Sequence, residues 1–153
     1  MADQNPETQV FPGMPLAKPE ALVVWCGDPR FQEATLEFLG TRGMKPGTYF
    51  PLIMPGGIAS LTDAPLLPQE SWFLRNTIKF YVGHFASIHK IVLINYEDCG
   101  KYHSLSKLLP NFPKFQKVAT RQQDDLRKSV TGLRDFLPRE VGVEGYYAEF
   151  ANA

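Results

Sequence analysis

Two cysteines, Cys26 and Cys99, are the residues of this sequence whose type and position best suit metal chemistry. Cys26 directly follows the apolar run 21–25, and Cys99 lies three positions beyond the run 91–96. Such runs predict buried parallel strands, and α/β proteins bind ligands at the carboxyl ends of parallel strands. Two thiolates brought together there could hold zinc. They could also be small buried hydrophobes, because two isolated cysteines are a weak metal signal.

Other apolar patterns predict the elements that would position these two turns. Further strands are predicted over 48–54, where Pro51 favours an edge or bulged strand, and within 141–150. Helical spacing begins at Phe31, a loop is expected over 58–68, and the remaining helices are predicted over 69–87, from 100 to about 109, and from a capping box at Thr120 and Gln123. This alternation predicts an α/β fold with a mostly parallel β-sheet flanked by helices.

Aromatic and aliphatic side chains indicate which helix faces should be buried. One face of the helix over 69–87 is expected to carry Phe73, Thr77, Phe80, Tyr81 and His84. The last helix should bury Leu126, Val130, Leu133 and Leu137. Most other aromatics are expected in the core, namely Trp25, Phe50 and Trp72, whereas Tyr102, Tyr146 and Tyr147 could lie at an interface.

Composition limits the classes of protein to consider. The chain has 153 residues, 44% of them hydrophobic, which suits one folded domain over 21–153 preceded by a Pro-rich arm over 1–20. Sixteen basic residues balance sixteen acidic ones without a basic run, so nucleic acid and acidic membranes are not expected as partners. With no apolar run long enough to span a bilayer and no leader-like N-terminus, a cytoplasmic protein with reduced thiols is expected.

The neighbours of both cysteines resemble motifs of the β-class carbonic anhydrases. Cys26-Gly27-Asp28-Pro29-Arg30 has that family's Cys-x-Asp-x-Arg pattern, and 95–100 resembles its Gly-His-x-x-Cys-Gly motif. The segment 46–57 is similar to the stretch leading into the family's Arg-Asn-Ala-Gly-Asn, although only Gly56 is clearly kept. The resemblance covers about residues 20–150 and implies a β-carbonic-anhydrase-like fold, a zinc cofactor and a homodimer.

The resemblance also implies roles for individual residues. Cys26 and Cys99 would be zinc ligands, and Asp28 with Arg30 would form the catalytic pair beside the metal. In the family this aspartate either bonds the arginine, leaving a site for a reactive water, or binds the metal itself. Water on zinc loses a proton near neutral pH and attacks carbon dioxide, giving bicarbonate.

Tyr96 is the main departure from the family pattern, which has a histidine ligand at that position. A phenol, with an ordinary pKa of about 10, is a poor zinc ligand unless the metal displaces its proton. Candidates for completing the site are Asp28, Tyr96 itself and His103, of which Asp28 is favoured. Glu97 and Asp98 could supply oxygen ligands but are expected to be solvated, and His84 and His89 are expected to be structural.

Three functions are compatible with the sequence. The favoured one is a divergent β-carbonic-anhydrase-like protein with an altered zinc site and weak or no carbon dioxide hydratase activity. The second is an active zinc lyase or hydrolase that uses a substitute third ligand on carbon dioxide or a similar molecule such as carbonyl sulfide. The third is an α/β domain that binds a small anion at Pro55-Gly56-Gly57 or at a helix start.

Overall fold

The computed structural model of the chain describes residues 10–13, 18–62, 67–108 and 117–151. Most of the predicted arm over 1–20 therefore lies outside the described residues. Within these ranges the elements follow one another as β1 (Ala21–Cys26), a 3₁₀ turn (Pro29–Phe31), α1 (Gln32–Thr41), β2 (Tyr49–Met54), α2 (Ala59–Thr62), α3 (Pro68–His84), β3 (Lys90–Tyr96), α4 (Gly100–Leu108), α5 (Val118–Phe136) and β4 (Gly142–Ala148).

The four strands form one parallel sheet in the order β2-β1-β3-β4. β1 and β3 are central, and their apolar residues are buried because helices cover both faces of the sheet. β2 is an edge strand, as Pro51 predicted, since proline has no N–H to offer a second neighbour. The predicted α/β fold with helices flanking a parallel sheet is confirmed.

Alternate side chains of the central strands face two different hydrophobic clusters. On one side, Leu39 of α1 packs with Val23, Trp25 and Val92. The other side is covered by α2, α3 and α5, whose buried residues pack with Leu22, Val24, Ile91 and Leu93. The predicted apolar face of α5 is confirmed: Leu126, Leu133 and Leu137 are buried, and Val130 packs against them.

The predicted buried face of α3 is largely wrong, although Tyr81 packs against the core. α3 buries Ser71, Leu74 and Ile78, whereas Trp72, Phe73 and Phe80 are 69%, 52% and 58% exposed. Leu74 and Ile78 lie at helical spacing, and so do Phe73 and Phe80. The prediction favoured the face with the larger aromatic residues. The exposed His84 stacks on Phe80 with a centroid distance of 5.1 Å, so it does not face the sheet either.

Three further sequence expectations need correction. The segment 58–68 is not all loop, since α2 lies within it and α3 begins at Pro68, a residue well suited to a first helical turn. The capping box is wrong because α5 begins at Val118 after Lys117, which places Thr120 inside the helix. Tyr102 is fully buried beside the thiols and is not an interface residue.

Candidate metal centre

Cys26 and Tyr96 end two neighbouring parallel strands, and this places them at the same edge of the sheet. Cys99 lies in the turn after β3 and directly precedes the first residue of α4. Both cysteines are free thiols, 7% and 2% exposed, and pack in one cluster with Tyr96, Phe31 and Tyr102. The structure therefore brings together the two thiols that the sequence singled out.

The sulfur of Cys26 is surrounded by hydrogen-bond donors. The Tyr96 hydroxyl and the Gly56 amide donate to it at 3.2 and 3.3 Å, and Cys99 packs in the same cluster. The neighbouring Cys99 thiol and these two donors favour the thiolate and lower the pKa of Cys26, against the opposing effect of burial. The neighbouring Cys26, together with burial, raises the pKa of the Cys99 thiol.

Tyr96 lies between Cys26 and Asp28. Its hydroxyl oxygen is 3.2 Å from the Cys26 sulfur and 3.0 Å from Asp28 Oδ2. Burial raises the pKa of Tyr96 well above its ordinary range, and the adjacent thiols raise it further. The phenol therefore keeps its proton and shares it between a sulfur and a carboxylate.

Asp28 is held by Arg30 through two parallel contacts. Arg30 Nη2 donates to Asp28 Oδ2 at 2.7 Å and Nε donates to Oδ1 at 3.1 Å, while the Arg30 backbone N–H also donates to Oδ1 at 2.9 Å. These hydrogen bonds, chiefly those from the guanidinium, hold the pKa of Asp28 far below its ordinary value. Asp28 is thus an ionised acceptor turned toward Arg30 and Tyr96.

His103 lies at the outer end of the same network. Its Nε2 is 2.9 Å from Asp98 Oδ1, and Asp98 Oδ2 accepts a bond of 3.1 Å from Arg30 Nη1. Asp98 adopts a left-handed backbone with φ of 59°, which aims its carboxylate at both partners. The His103 ring bonds Asp98, and its backbone N–H donates to the Cys99 carbonyl at 3.1 Å. Glu97 accepts a bond from the Phe150 amide.

Two residues that position Tyr96 were not predicted from the sequence as part of the site. The Phe31 ring packs against Tyr96 in a tilted arrangement with a centroid distance of 4.0 Å, and Gln122 Nε2 donates to the Tyr96 carbonyl at 2.7 Å. Gln122 in turn accepts a bond from the Tyr147 hydroxyl. The position of Gln122, one turn before Leu126 on the buried stripe of α5, was the signal that could have identified it.

The turn 55–57 closes the site from the side of β2. Gly56 and Gly57 have φ values of 77° and 57°, which other residues rarely adopt. A Cβ atom on Gly57 would lie 2.9 Å from Asn95 Oδ1 and 3.4 Å from the Cys26 nitrogen. Because the Gly56 N–H is already given to the Cys26 sulfur, this amide is not available to the small anion considered for this turn.

The arrangement does not fit a zinc ion as it stands. Zinc needs deprotonated ligands converging on one point. In the part of the chain that the structure describes, no group of three or more His, Cys, Asp or Glu side chains is placed to hold a metal. The protonated Tyr96 hydroxyl lies against Cys26 and Asp28, and His103 is bonded to Asp98. The centre is therefore a pair of buried thiols in one cluster, in which Cys26 accepts hydrogen bonds from Tyr96 and Gly56.

Comparison with known proteins identifies the fold. No protein-family model and no curated protein sequence matches the chain. Among solved structures, a carbonic anhydrase from Streptococcus mutans matches with a TM-score of 0.55 and 17% identity, over 92% of this chain and 82% of that one. A tetrameric β-carbonic anhydrase from the ascomycete Sordaria macrospora has a TM-score of 0.54 and 17% identity, over 86% and 76%.

A carbonic anhydrase from Glaciozyma antarctica adds a match at a TM-score of 0.51 and 20% identity, over 88% of this chain and 80% of that one. At such low identity these likenesses concern the fold alone. The parallel sheet and its flanking helices are therefore those of a β-carbonic anhydrase fold.

Proposed function

We propose that this chain is a divergent β-carbonic-anhydrase-like protein with an altered zinc site and weak or no carbon dioxide hydratase activity. The observation that carries the proposal is the Tyr96 hydroxyl, which contacts both the Cys26 sulfur and Asp28 Oδ2. The motif that the segment 95–100 resembles has a histidine ligand at this position. A protonated phenol at this position takes the place of the histidine ligand and also contacts two other candidate ligands, Cys26 and Asp28.

Zinc, where it binds, is proposed to use Cys26 and Cys99, with Asp28 as third ligand ahead of Tyr96 and His103. Binding would require the Tyr96 hydroxyl to leave Cys26 and would require Asp28 to give up part of its pairing with Arg30. Both changes cost charge-assisted hydrogen bonds, so the affinity should be low. An Asp28 that fills the third position also leaves Arg30 with only Asp98 as a carboxylate partner among the described residues.

The wild-type protein provides the first test. We expect substoichiometric zinc by metal analysis after purification, and hydration of carbon dioxide or carbonyl sulfide close to the uncatalysed rate in stopped-flow assays. Protein loaded with excess zinc should remain a poor catalyst. Fast hydration by the wild type would show that a substitute ligand serves, and the active-enzyme alternative would replace our proposal.

We further propose that the chain forms a homodimer through the exposed aromatic face of α3, defined by Trp72, Phe73 and Phe80. Isolated apolar side chains are common on surfaces, but three large rings on one helix are typical of an interface. Pro68, Gln69, Trp72 and Phe73 line an open hollow of about 540 Å³ beside them. Self-association is also a property of the tetrameric Sordaria proteins with this fold.

Sedimentation analysis tests the proposed homodimer. We expect a dimer at micromolar concentration and a loss of at least about thirtyfold in dimer affinity when Trp72→Ser and Phe73→Ser are combined. Leu36→Ser is the matched control, because Leu36 is similarly exposed but lies on α1, across the sheet. A wild-type protein that sediments as a compact monomer contradicts the proposal, as does a dimer that Leu36→Ser weakens equally.

A cytoplasmic location remains our proposal for this chain, and free thiols at Cys26 and Cys99 support it. Among the described residues, no helix is both long enough and apolar enough to cross a membrane.

A further inference from the structure

The outer edge of β4 offers backbone hydrogen-bonding groups to a further strand. At the start of β4, the Gly142 N–H donates to a carbonyl beside β3 at 2.8 Å, and at its end the Ala148 carbonyl accepts from an amide beside β3 at 2.9 Å. Because successive residues of a strand present their backbone groups to opposite edges, the even-numbered residues of β4 bond β3. The backbone groups of Val143, Gly145 and Tyr147 therefore point away from the sheet.

β4 carries few of the features that usually prevent an edge strand from pairing. Its register with β3 runs without a bulge from Gly142 to Ala148, and the strand contains neither proline nor lysine. The opposite edge strand, β2, carries the exposed Pro51. On the outward side of β4, the described residues supply one partner, Arg134 Nη2, which donates to the Val143 carbonyl at 2.9 Å. Since an unprotected edge is a template for another strand, this edge is suited to pairing.

The side chains of β4 complement a second copy of β4 that runs antiparallel. With the two-fold axis at Gly145, Val143 of each copy lies opposite Tyr147 of the other on the face toward α5. Glu144 of each copy lies opposite Tyr146 of the other on the face toward α1. Cross-strand pairs of a β-branched and an aromatic residue are stabilising. Gly145, at the centre, has no side chain to keep the two backbones apart.

The charges of this edge also match across the two-fold axis. Glu144 accepts a bond of 2.8 Å from the Tyr146 hydroxyl of its own chain, and the Arg42 guanidinium lies 4.9 Å from the centroid of the Tyr146 ring. In the antiparallel pair, Glu144 faces the Tyr146 hydroxyl and the nearby Arg42 of the second copy, and the axis repeats this contact. Opposite charges meet at both ends of the strand pair, so a second copy is the occupant that this edge favours.

We propose that β4 of this chain pairs antiparallel with β4 of a second copy, so that the two sheets join into one. This goes beyond the proposed function, because the contact uses neither the thiols nor the aromatic face of α3. Gly145 exchanges two backbone hydrogen bonds with its counterpart, and Val143 exchanges two with Tyr147 of the second copy. The Val143 carbonyl has a second lone pair for the bond from Arg134.

The strand pair is expected to be a weaker contact than the proposed α3 dimer. A single pair of strands with a few flanking side chains buries little area, and small interfaces are typical of weak association. The β4 contact therefore joins dimers into tetramers at higher protein concentration.

Amide hydrogen exchange, measured by NMR at several protein concentrations, tests the proposal. The measurement uses the full-length Trp72→Ser/Phe73→Ser variant, in which the α3 contact is disrupted. We expect the amides of Gly145 and Tyr147 to exchange at least about tenfold more slowly in concentrated than in dilute protein. The amide of Ile53 is the matched control, because it points outward from β2 at the other edge of the sheet, and its exchange should not change.

Cysteine cross-linking tests the register. Glu144 and Tyr146 of the second copy form the closely spaced kind of antiparallel pair, in which Cα atoms lie about 4.5 Å apart. An equal mixture of Glu144→Cys and Tyr146→Cys proteins should form a disulfide-linked dimer with oxidised glutathione as oxidant, and peptide mapping should join positions 144 and 146. Each variant alone should cross-link at least about fivefold less, because equal positions lie two residues out of register, more than about 7 Å apart. Cys26 and Cys99 are buried in every sample, and circular dichroism verifies that each variant is folded.

Three results would overturn the proposal. Exchange at Gly145 and Tyr147 that does not depend on concentration would show that the edge stays unpaired. Strong protection of these amides in a protein that sediments as a monomer would show that another segment of the same chain covers the edge. Cross-links as efficient within one variant as in the mixture would show a different contact. A wild type that is monomeric at micromolar concentration contradicts the α3 dimer, whereas exchange at Gly145 in concentrated protein decides the β4 contact separately.

Discussion

Tyr96→His is expected to raise the affinity for zinc by about two orders of magnitude, because it restores a third strong ligand to a site with two thiols. The imidazole has no proton that must be displaced at neutral pH, unlike the Tyr96 phenol, whose pKa is raised by burial. Removing the phenol also frees Cys26 and leaves Asp28 to Arg30 alone. A zinc position open to water then becomes available, and stopped-flow hydration should rise above the wild-type rate.

Tyr96→Phe is the matched control for this experiment. It removes the same hydroxyl and keeps the ring contact with Phe31, but it supplies no ligand. Competition with a chromophoric chelator should show much tighter zinc binding for the histidine variant and a far smaller gain for the phenylalanine variant, which removes the hydroxyl from Cys26 without adding a ligand. If Tyr96→His binds no more zinc than the wild type, the pocket has diverged beyond this single ligand.

Arg121→Met is expected to destabilise the fold by about 3–5 kcal/mol, the usual cost of leaving a buried charge without its partner. Asp125 on α5 is fully buried, and its Oδ1 accepts a bond of 2.8 Å from Arg121 Nε. Its Oδ2 is buried without a hydrogen-bond partner among the described residues, so Asp125 depends heavily on this arginine. Methionine keeps the aliphatic length of Arg121 but removes the positive charge.

Arg127→Met provides the control on the same helix. Arg127 pairs with Asp124 at 2.8 Å, but its side chain is 72% exposed, so its loss should change the unfolding free energy by only about 0–0.5 kcal/mol. Urea denaturation of both variants measures the difference. Similar losses in the two variants would mean that Asp125 finds another donor when Arg121 is removed.

The strands could be predicted because their patterns leave few alternatives. A fully apolar run such as 21–25 must be covered on both faces, and Pro51 restricts β2 to an edge. The buried face of α3 could not be chosen the same way, since Leu74 and Phe73 lie on competing stripes of similar period. Which stripe faces the sheet depends on packing against α2 and α5, which the sequence pattern does not contain.

The candidate site was likewise predictable only in part from the sequence. Cys26, Asp28, Arg30 and Cys99 stand in short motifs, so the amino-acid sequence was enough to infer that they lie close together. Asp98 has a left-handed backbone and contacts the side chains of Arg30 and His103. No local sequence pattern predicts these contacts. Tyr96 was recognised as a departure from the motif, but its contact with both Cys26 and Asp28 is a result of the fold.

The strand order also determines how this sheet can assemble during folding. β1 pairs with β2 and β3, and Ala21 at its start lies opposite Lys90, far along the chain. No strand in the described sheet pairs antiparallel with its successor, so no hairpin can serve as an early local nucleus. Such high contact order slows folding, and the apolar β1 leaves the ribosome long before its neighbour β3 exists. Until β3 is synthesised, the apolar β1 lacks one of its two neighbours, and this exposes it to aggregation.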